Sequence, residues 1–244
     1  MDAERENDDP RMTATYVRRI PAGANALTLV GVVHDHPAST YRVKRTIEKR
    51  DPDILALELP PISLPLFEEY ARCSWDPPRL GGEMSAAIQT AQTDEVIGID
   101  RPTNDFFGRL LRRLVQERPS RGTVRAVISN ALSVTTHAVV CRLVAAVALR
   151  TTIRLEVDSP VGHEIDWREP PDAQANDERR QVRQARAFAN AFGAADGTRA
   201  SRLEDAARED HMAERLSKLR KRGGVVGVVG IEHLDPLTER LDSR

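Results

Sequence analysis

The sequence predicts an α/β fold, with a mainly parallel central sheet flanked by helices and a helical insertion in the middle of the chain. Short apolar runs rich in β-branched residues, at 27–33, 54–59 and 225–229, indicate buried strands, and helical patterns separate them. The chain has 244 residues, 40% of them hydrophobic, which suits one domain with a substantial core. Because the N-terminus is polar and acidic, we expect a disordered tail over 1–24 and a single domain over 25–244.

A β-loop-α-β unit opens the predicted domain. The strand over 27–33 is followed by a polar loop, in which Ser39 or Thr40 can cap a helix over about 41–50. A second strand over 54–59 then ends at two prolines. The helix makes the connection long enough for these strands to pair in parallel, with a right-handed crossover.

Further elements alternate in the same way. A third strand is predicted over 95–99, and a weaker edge strand over 153–158 precedes a proline-rich loop over 159–177. The helical insertion covers about 104–195. The predicted helices cover 63–72, 83–92, 105–117, 123–149, 178–192 and 200–222.

Composition and charge disfavour several classes of protein. The net charge of −1 argues against a nucleic-acid partner, which usually needs a basic face. Cys73 and Cys141 indicate no disulfide framework, and no apolar signal segment begins the chain, so a cytoplasmic protein is expected. The apolar stretch over 128–149 contains Arg142. It is interpreted as a packing helix and not a transmembrane segment, because a charge at the bilayer centre costs about 2.5–3.5 kcal/mol.

Polar residues follow the carboxyl end of each predicted strand. His34 follows the first strand, Glu58 lies near the end of the second, Arg101 follows the third, and His233 follows the last. Ligands of open parallel sheets bind outside these ends. We therefore expect the four side chains to share one site. A glycine stands three residues before each histidine, where it would allow a tight turn.

The residue types suit more than one chemistry. Two imidazoles and one carboxylate, from His34, His233 and Glu58, are a familiar ligand set for a catalytic metal. Without a metal, a histidine and Glu58 could form a pair for general base catalysis. Arg101 could hold a carboxylate or stabilise developing negative charge. The alternative is a structural ion pair between Glu58 and Arg101, because an unpaired carboxylate in an apolar strand would be costly.

The other histidines and several charged residues are expected to be structural or exposed. His137 is predicted to pack on its helix. The other residues are interpreted as solvated, in loops or on the face of a helix. The loop residues are Asp35, His36, His163 and Glu164, and the helix residues are Arg208, Glu209 and His211.

The order of these motifs resembles that of the TraB/PrgY-type domain family, which is related to GumN and to the TIKI metalloproteases. The resemblance spans about residues 27–234 and uses little of 120–195. One departure is that the family's Glu-Arg-Asp keeps only its Arg here. The matching stretches are Gly31-Val-Val-His34 with Ser39, Pro52-Asp53-Ile-Leu-Ala-Leu-Glu58, Gly82-Glu-Met-Ser-Ala-Ala, Gly98-Ile-Asp100-Arg101, Arg208-Glu209-Asp-His-Met212-Ala213, and Val225 to His233.

The resemblance implies a fold like that of the erythromycin-esterase and ChaN-like proteins, with His34, Glu58 and His233 in one cleft. The functions described for these groups differ. The TIKI branch comprises metal-dependent peptidases, the PrgY branch limits peptide pheromone activity, and ChaN-like proteins bind haem. Many prokaryotic relatives carry membrane helices after the domain, whereas this chain stops at Arg244, which favours a free domain.

We therefore predict a metal-dependent hydrolase that acts on peptide or other amide or ester bonds. His34 and His233 would bind a divalent ion such as zinc, manganese, iron or cobalt. Glu58 would be a third ligand or the base that activates water. Arg101 and Arg208 would orient the substrate, a peptide or small molecule.

Two alternatives from other classes stay open. The same cleft could belong to a non-catalytic regulatory protein that binds a peptide, haem or another small ligand. The chain could instead have a partner-binding role, in which the helix over 123–149 forms a homodimer. In the hydrolase, Ser39 could form a hydrogen bond in its loop.

Overall fold

The structure is a computed structural model that describes residues 9–20, 25–148, 163–192 and 196–243. The predicted edge strand over 153–158 lies outside the described residues. Within them, the chain forms one five-stranded sheet. Its strands are β1 (Val17–Ile20), β2 (Leu27–Val32), β3 (Ile54–Leu57), β4 (Val96–Gly98) and β5 (Val225–Gly230).

The strands lie in the order β1-β2-β5-β3-β4. All neighbours pair in parallel except β1, which is antiparallel to β2. The predicted α/β class is therefore confirmed. The direct pairing expected between β2 and β3 is wrong, because β5 lies between them and hydrogen-bonds to both. Strand β1 falls within the stretch over 1–24 that was predicted to be a disordered tail.

Eight helices surround the sheet in the described residues. The helices over the predicted positions are present, with shifted ends, and α8 follows the last strand without having been predicted. They are α1 (Pro37–Arg50), α2 (Leu64–Ala71), α3 (Gly82–Thr90), α4 (Asn104–Glu117), α5 (Arg121–Ala148), α6 (Pro171–Phe192), α7 (Asp196–Leu219) and α8 (Ile231–Asp242).

Helix α1 begins earlier than the sequence indicated. Its N-cap is His36, which accepts a hydrogen bond from the backbone N–H of Ala38 through Nδ1 at 3.1 Å, and Pro37 occupies the first helical position. Ser39 and Thr40, the predicted caps, lie inside the helix and are buried. The predicted loop over 159–177 is also shortened, because α6 already starts at Pro171.

The two faces of the sheet carry separate apolar layers, which follow from the alternation of side chains along each strand. On one face, Leu29 and Val229 pack with Met212 and Leu216 of α7 and Leu234 of α8. The opposite face buries Val30, Leu57 and Val228 against Val43 and Ile47 of α1. Burial of each such side chain stabilises the fold by about 1.5–3 kcal/mol, so these layers fix the positions of the strand ends.

Helices α4 and α5 of the insertion form a smaller cluster against α7. Phe106 and Leu110 of α4 contact Val127 of α5 and Ala207 of α7, and all four are buried. One stretch of α5, Arg121–Ala146, is long and apolar enough to cross a membrane by length and composition, and only 22% of its most apolar window is buried. The expected packing helix thus packs along only one side.

Candidate functional site

The carboxyl ends of the parallel strands lie at one edge of the sheet. Glu58 directly follows β3, and its backbone N–H still donates to Val228 of β5 at 3.0 Å. His34 lies just beyond β2, Asp100 just beyond β4, and His233 in the first turn of α8, directly after β5. The predicted gathering of polar residues at this edge therefore holds for the backbone positions.

The glycine at position 31 acts through packing and not through a turn. Gly31 lies within β2, and a Cβ built on it would stand 2.8 Å from the Cδ2 of Leu234. The absence of a side chain lets α8 approach the sheet closely. The tight-turn interpretation of Gly31 is therefore wrong, because the chain is still extended there.

Arg208 on α7 holds two buried carboxylates together. Its guanidinium donates to both oxygens of Asp100, from Nε at 3.1 Å and from Nη2 at 2.7 Å, and Nη2 also donates to Oε1 of Glu58 at 2.8 Å. The other oxygen of Glu58 accepts from the backbone N–H of Gly230 at 2.7 Å. Arg208 thus lies in the site, although its helix position suggested a solvated charge.

His233 completes this buried network. Its Nε2 lies 3.0 Å from Nη1 of Arg208 and 3.5 Å from Oε1 of Glu58, while its Nδ1 lies 3.2 Å from Oε1 of Glu209. Burial lowers the pKa of His233, but the hydrogen bond to Glu209 and the charge of Glu58 outweigh it, so the pKa is raised. The pKa of Glu58 is raised as well, and here burial is the cause, because it outweighs the positive charges of His233 and Arg208, which lower this pKa.

A second arrangement at the same edge pairs His34 with Glu83 of α3. Nδ1 of His34 lies 2.7 Å from Oε1 of Glu83, and Oε2 of that carboxylate accepts from the backbone N–H of Asp35 at 2.9 Å. Glu83 is only 2% exposed. Its hydrogen bond raises the pKa of His34 to about 9, so the imidazole is protonated at neutral pH.

The contacts leave one ring nitrogen of His34 available. The backbone carbonyl of His34 accepts a hydrogen bond from Nε2 of His163 at 2.7 Å, which fixes the loop. Among the residues described, no hydrogen bond involves Nε2 of His34, and the side chain is 49% exposed. Within the part of the chain that the structure describes, the ring therefore has one nitrogen bound to a buried carboxylate and a second nitrogen that no other group binds.

Beside this pair lies a cleft of about 1140 Å³. His34, Glu58 and Glu83 line it on the sheet side. Both tryptophans of the chain, Trp75 and Trp167, also line it, and they are 53% and 44% exposed. The rest of the lining combines apolar or aromatic side chains, two prolines, two glycines, two arginines and three carboxylates. These are Leu59, Leu66, Phe67, Tyr70, Leu80 and Met84, then Pro77, Pro78, Gly81 and Gly82, then Arg79 and Arg168, and Asp35, Asp76 and Asp166.

The donor atoms of the predicted metal ligands are already engaged in other contacts or lie apart. His34, Glu58 and His233 do not form a ligand group, and the part of the chain that the structure describes holds no cluster of three or more His, Cys, Asp or Glu side chains suited to a metal. His233 directs Nε2 at the guanidinium of Arg208, and both oxygens of Glu58 already accept hydrogen bonds. The residues in this arrangement do not fit a three-ligand metal centre.

Arg101 does not take the role expected from its sequence position. Its Nη1 donates to Oε2 of Glu204 on α7 at 2.8 Å. The partner of Glu58 is Arg208, so the expected structural bridge between Glu58 and Arg101 is wrong in its choice of arginine.

Ser39 does form the expected loop hydrogen bond, because its Oγ accepts from the N–H of Val33 at 2.8 Å.

Several residues interpreted as solvated are buried. His36 is fully buried beside Asp177 of α6, and His211 is buried with its Nε2 3.1 Å from Oγ1 of Thr103. Burial lowers the pKa of His211 to about 4. Glu209 is buried as well, whereas His137, expected to pack, is exposed.

Glu83 and Asp100 are the site residues that reasoning from the residue types missed. Glu83 stands at the start of a helix that predicts no chemistry, because an acidic residue is common in a first turn. The available signal was its place in the Gly82-Glu-Met motif, after two glycines with positive φ. These glycines let the first turn of α3 approach the loop, since a Cβ on Gly82 would stand 2.0 Å from Oδ1 of Asp35.

No family model, curated protein or solved structure matches this chain in any of the three comparisons.

Proposed function

We propose that this chain is a hydrolase of amide or ester bonds that works in the cleft beside His34. The observation that carries the proposal is the hydrogen bond between His34 and the buried Glu83, beside a cleft large enough for a peptide or a small molecule. A buried carboxylate that orients an imidazole is the usual arrangement of a proton-transferring histidine.

The proposed reaction uses the open nitrogen of His34. In its neutral form, Nε2 accepts a proton from water as the water oxygen attacks the carbonyl carbon of the substrate. The imidazolium then returns this proton to the leaving nitrogen or oxygen as its bond to the carbonyl carbon breaks. Glu83 accepts the Nδ1–H hydrogen bond throughout, which keeps the lone pair on Nε2 and stabilises the imidazolium.

In the proposed reaction, the hydrogen bonds of Arg208 hold Glu58 in place. Arg208 is surrounded by Glu58 and Asp100, and Arg101 by Glu204, so neither arginine presents a guanidinium without a carboxylate partner to a substrate. We assign Arg208 the role of holding Glu58 at the cleft wall. Glu58 then places a negative charge near His34, which favours the imidazolium formed during proton transfer.

A divalent metal stays a prediction of the sequence. When bound, such an ion would polarise a water molecule or the substrate carbonyl. The reaction described above takes no step through it, because His34, Glu58 and His233 do not converge as ligands. Elemental analysis of the purified chain beside a His34→Ala/His233→Ala variant tests this prediction independently of hydrolysis.

The test of the proposed reaction is hydrolysis of a panel of fluorogenic esters and peptides by the wild type and three variants. We expect His34→Ala to lose activity by about 100-fold or more, the usual contribution of a general base. Glu83→Gln should retain part of the activity, since an amide can still accept the Nδ1 hydrogen bond. The matched control is His137→Ala, which removes an exposed histidine on α5 and should change nothing. Unchanged hydrolysis in His34→Ala would overturn the proposal.

A second candidate function is ligand binding without turnover, which the placement of both tryptophans favours. Exposed Trp75 and Trp167 offer flat apolar surfaces to a peptide, haem or another small ligand, and Arg79 already stacks on Trp75 at 3.5 Å from the ring centroid. Since these are the tryptophans of the whole chain, a ligand in the cleft should change the intrinsic fluorescence. Saturable fluorescence changes without product would support binding over hydrolysis.

Membership of the TraB/PrgY-type family rests on motif order alone. Cys73 and Cys141 are free thiols, which supports the proposed cytoplasmic location. The homodimer through 123–149 stays a prediction of the sequence, and sedimentation velocity over a range of concentrations tests it.

A further inference from the structure

Exposed apolar side chains are concentrated on the helical insertion. Among the described residues, the exposed large apolar side chains outside the cleft all lie on α4 and α5. Exposed apolar side chains that are concentrated on one part of a surface usually mark a binding site. The residues are Phe107, Leu111 and Val115 on α4, and Ile128, Leu132, Val139, Val140 and Leu143 on α5.

The exposed residues of α5 follow one face of the helix. Ile128, Leu132, Val139 and Leu143 are spaced by four, seven and four residues, so they lie within a narrow sector. Arg121 and Arg125 continue the same spacing toward the N-terminus and are exposed too. We call these six residues the α5 face. The opposite side of the helix buries Val127, Ala131, Ala138, Cys141 and Ala145.

The charge of the insertion points to a negatively charged partner. Residues 104–148 contain seven arginines and two acidic residues, although the whole chain carries a net charge of −1. Arg109 and Arg113 of α4 already pair with Glu214 and Asp210 of α7, so the arginines of α5 are the ones that point to such a partner. On α5 itself the charged residues are all arginines, Arg121, Arg125 and Arg142, and all are exposed. An apolar stripe combined with arginines and no acidic side chain is typical of helices that lie on anionic membranes.

A second copy of the chain, paired through α5, would offer no negative groups to the arginines of this helix. If two α5 helices paired in parallel, Arg121 and Arg125 would face their own copies, and like charges would repel. In an antiparallel pair the same arginines would face the apolar end around Leu143, and α5 offers no carboxylate there. Anionic lipid headgroups satisfy the arginines while the acyl chains cover the leucines and valines.

We propose that the α4–α5 insertion docks on an anionic lipid surface, with α5 lying in the plane of the headgroups. The apolar part of the α5 face enters the boundary between headgroups and acyl chains, and Arg121 and Arg125 contact lipid phosphates. The surface lies on elements other than those that carry His34 and Glu83, so this proposal does not depend on the proposed hydrolysis.

The experiment is co-sedimentation of the full chain with vesicles of phosphatidylcholine, pure or mixed with phosphatidylglycerol. We expect binding to the mixed vesicles that weakens as salt rises, because screening shortens the range of the arginine–lipid attraction. Each arginine at an anionic surface contributes about fivefold in affinity, so Arg121→Gln/Arg125→Gln should lower binding by about 25-fold. Leu132→Gln/Leu143→Gln should lower it by about tenfold or more.

The matched control removes two exposed arginines elsewhere, with Arg72→Gln/Arg179→Gln. It changes the net charge equally and should leave vesicle binding unchanged, while circular dichroism confirms that each variant is folded. Equal loss in the control, equal binding to neutral vesicles, or no binding to anionic vesicles would overturn the proposal. Lipid-free dimerisation that disappears in Leu132→Gln/Leu143→Gln would also overturn it, since a second copy would then cover the α5 face.

Discussion

Replacement of Arg208 by methionine should destabilise the domain strongly. The guanidinium makes four hydrogen bonds, to Glu58, to both oxygens of Asp100 and to His233. Its removal leaves two buried carboxylates without their cation, and breaking a buried pair in this way costs about 3–5 kcal/mol. Arginine and methionine have similar helix propensities, so the loss reports the network and not α7 itself.

The measurement is urea unfolding followed by circular dichroism, at pH 7 and again at pH 5. Burial raises the pKa of Glu58, and the charge of Arg208 opposes that rise. Without Arg208 this pKa rises further, so the folded variant gains more from binding a proton on acidification than the folded wild type does, and its deficit should shrink. Glu58→Gln and Asp100→Asn added to Arg208→Met should recover part of the stability, because the uncompensated charges are then gone.

The control for Arg208→Met is Lys218→Met on the same helix. Lys218 pairs with Glu214 at the surface and is 65% exposed, so its replacement should cost less than about 1 kcal/mol. A loss below about 1 kcal/mol for Arg208→Met as well, or a deficit that grows on acidification, would show that Arg208 does not compensate two buried carboxylates.

Four further predictions follow from packing and protonation. Gly98→Ala should destabilise by about 1–3 kcal/mol, because the new Cβ would stand 2.6 Å from the backbone oxygen of Leu59. Gly108→Ala, in open space on α4, should stabilise by about 0.5–1 kcal/mol in the same urea titration. Burial lowers the pKa of His211 to about 4 in the folded state, whereas the unfolded value is about 6.5. The stability that comes from the buried neutral imidazole is therefore fully present above the unfolded pKa, and it is lost as the pH falls toward 4. His211→Gln should remove that part of the acid sensitivity, and an unchanged slope of stability against pH would contradict this. Hydrolysis should rise with pH through about 9, the pKa of His34, because the neutral imidazole is the base, whereas a midpoint near 6.5 would not fit.

Much of the fold could be predicted because the apolar runs are unambiguous. The run over 225–229 can only be buried in the middle of a sheet, and it forms β5, the central strand. The apolar runs do not determine the order of the strands in the sheet. The position of β5 between β2 and β3 depends on how helices from both ends of the chain cover the sheet. Strand β1 was missed because Val17–Ile20 contains two arginines and resembles a solvated tail.

The candidate site was predictable in position but not in its partners. His34 and Glu58 follow strand ends in the sequence, and topology alone places them at one edge. The choice of Arg208 over Arg101 as the partner of Glu58 depends on the packing of α7 against the sheet, which no local pattern encodes. Glu83 stands in a motif that the sequence shows, but its partner could not be predicted, since only the close approach of α3 brings its carboxylate to His34.

Titration of the His34 imidazole by nuclear magnetic resonance, in the wild type and in Glu83→Gln, probes the His34–Glu83 pair directly. The hydrogen bond to the buried carboxylate predicts a pKa of about 9 for His34 in the wild type. In Glu83→Gln, the pKa should fall toward the ordinary value of about 6.5. Titration of His34 near 6.5 in both proteins would show that the His34–Glu83 pair does not form, and it would remove the proton-transferring group from the proposed reaction.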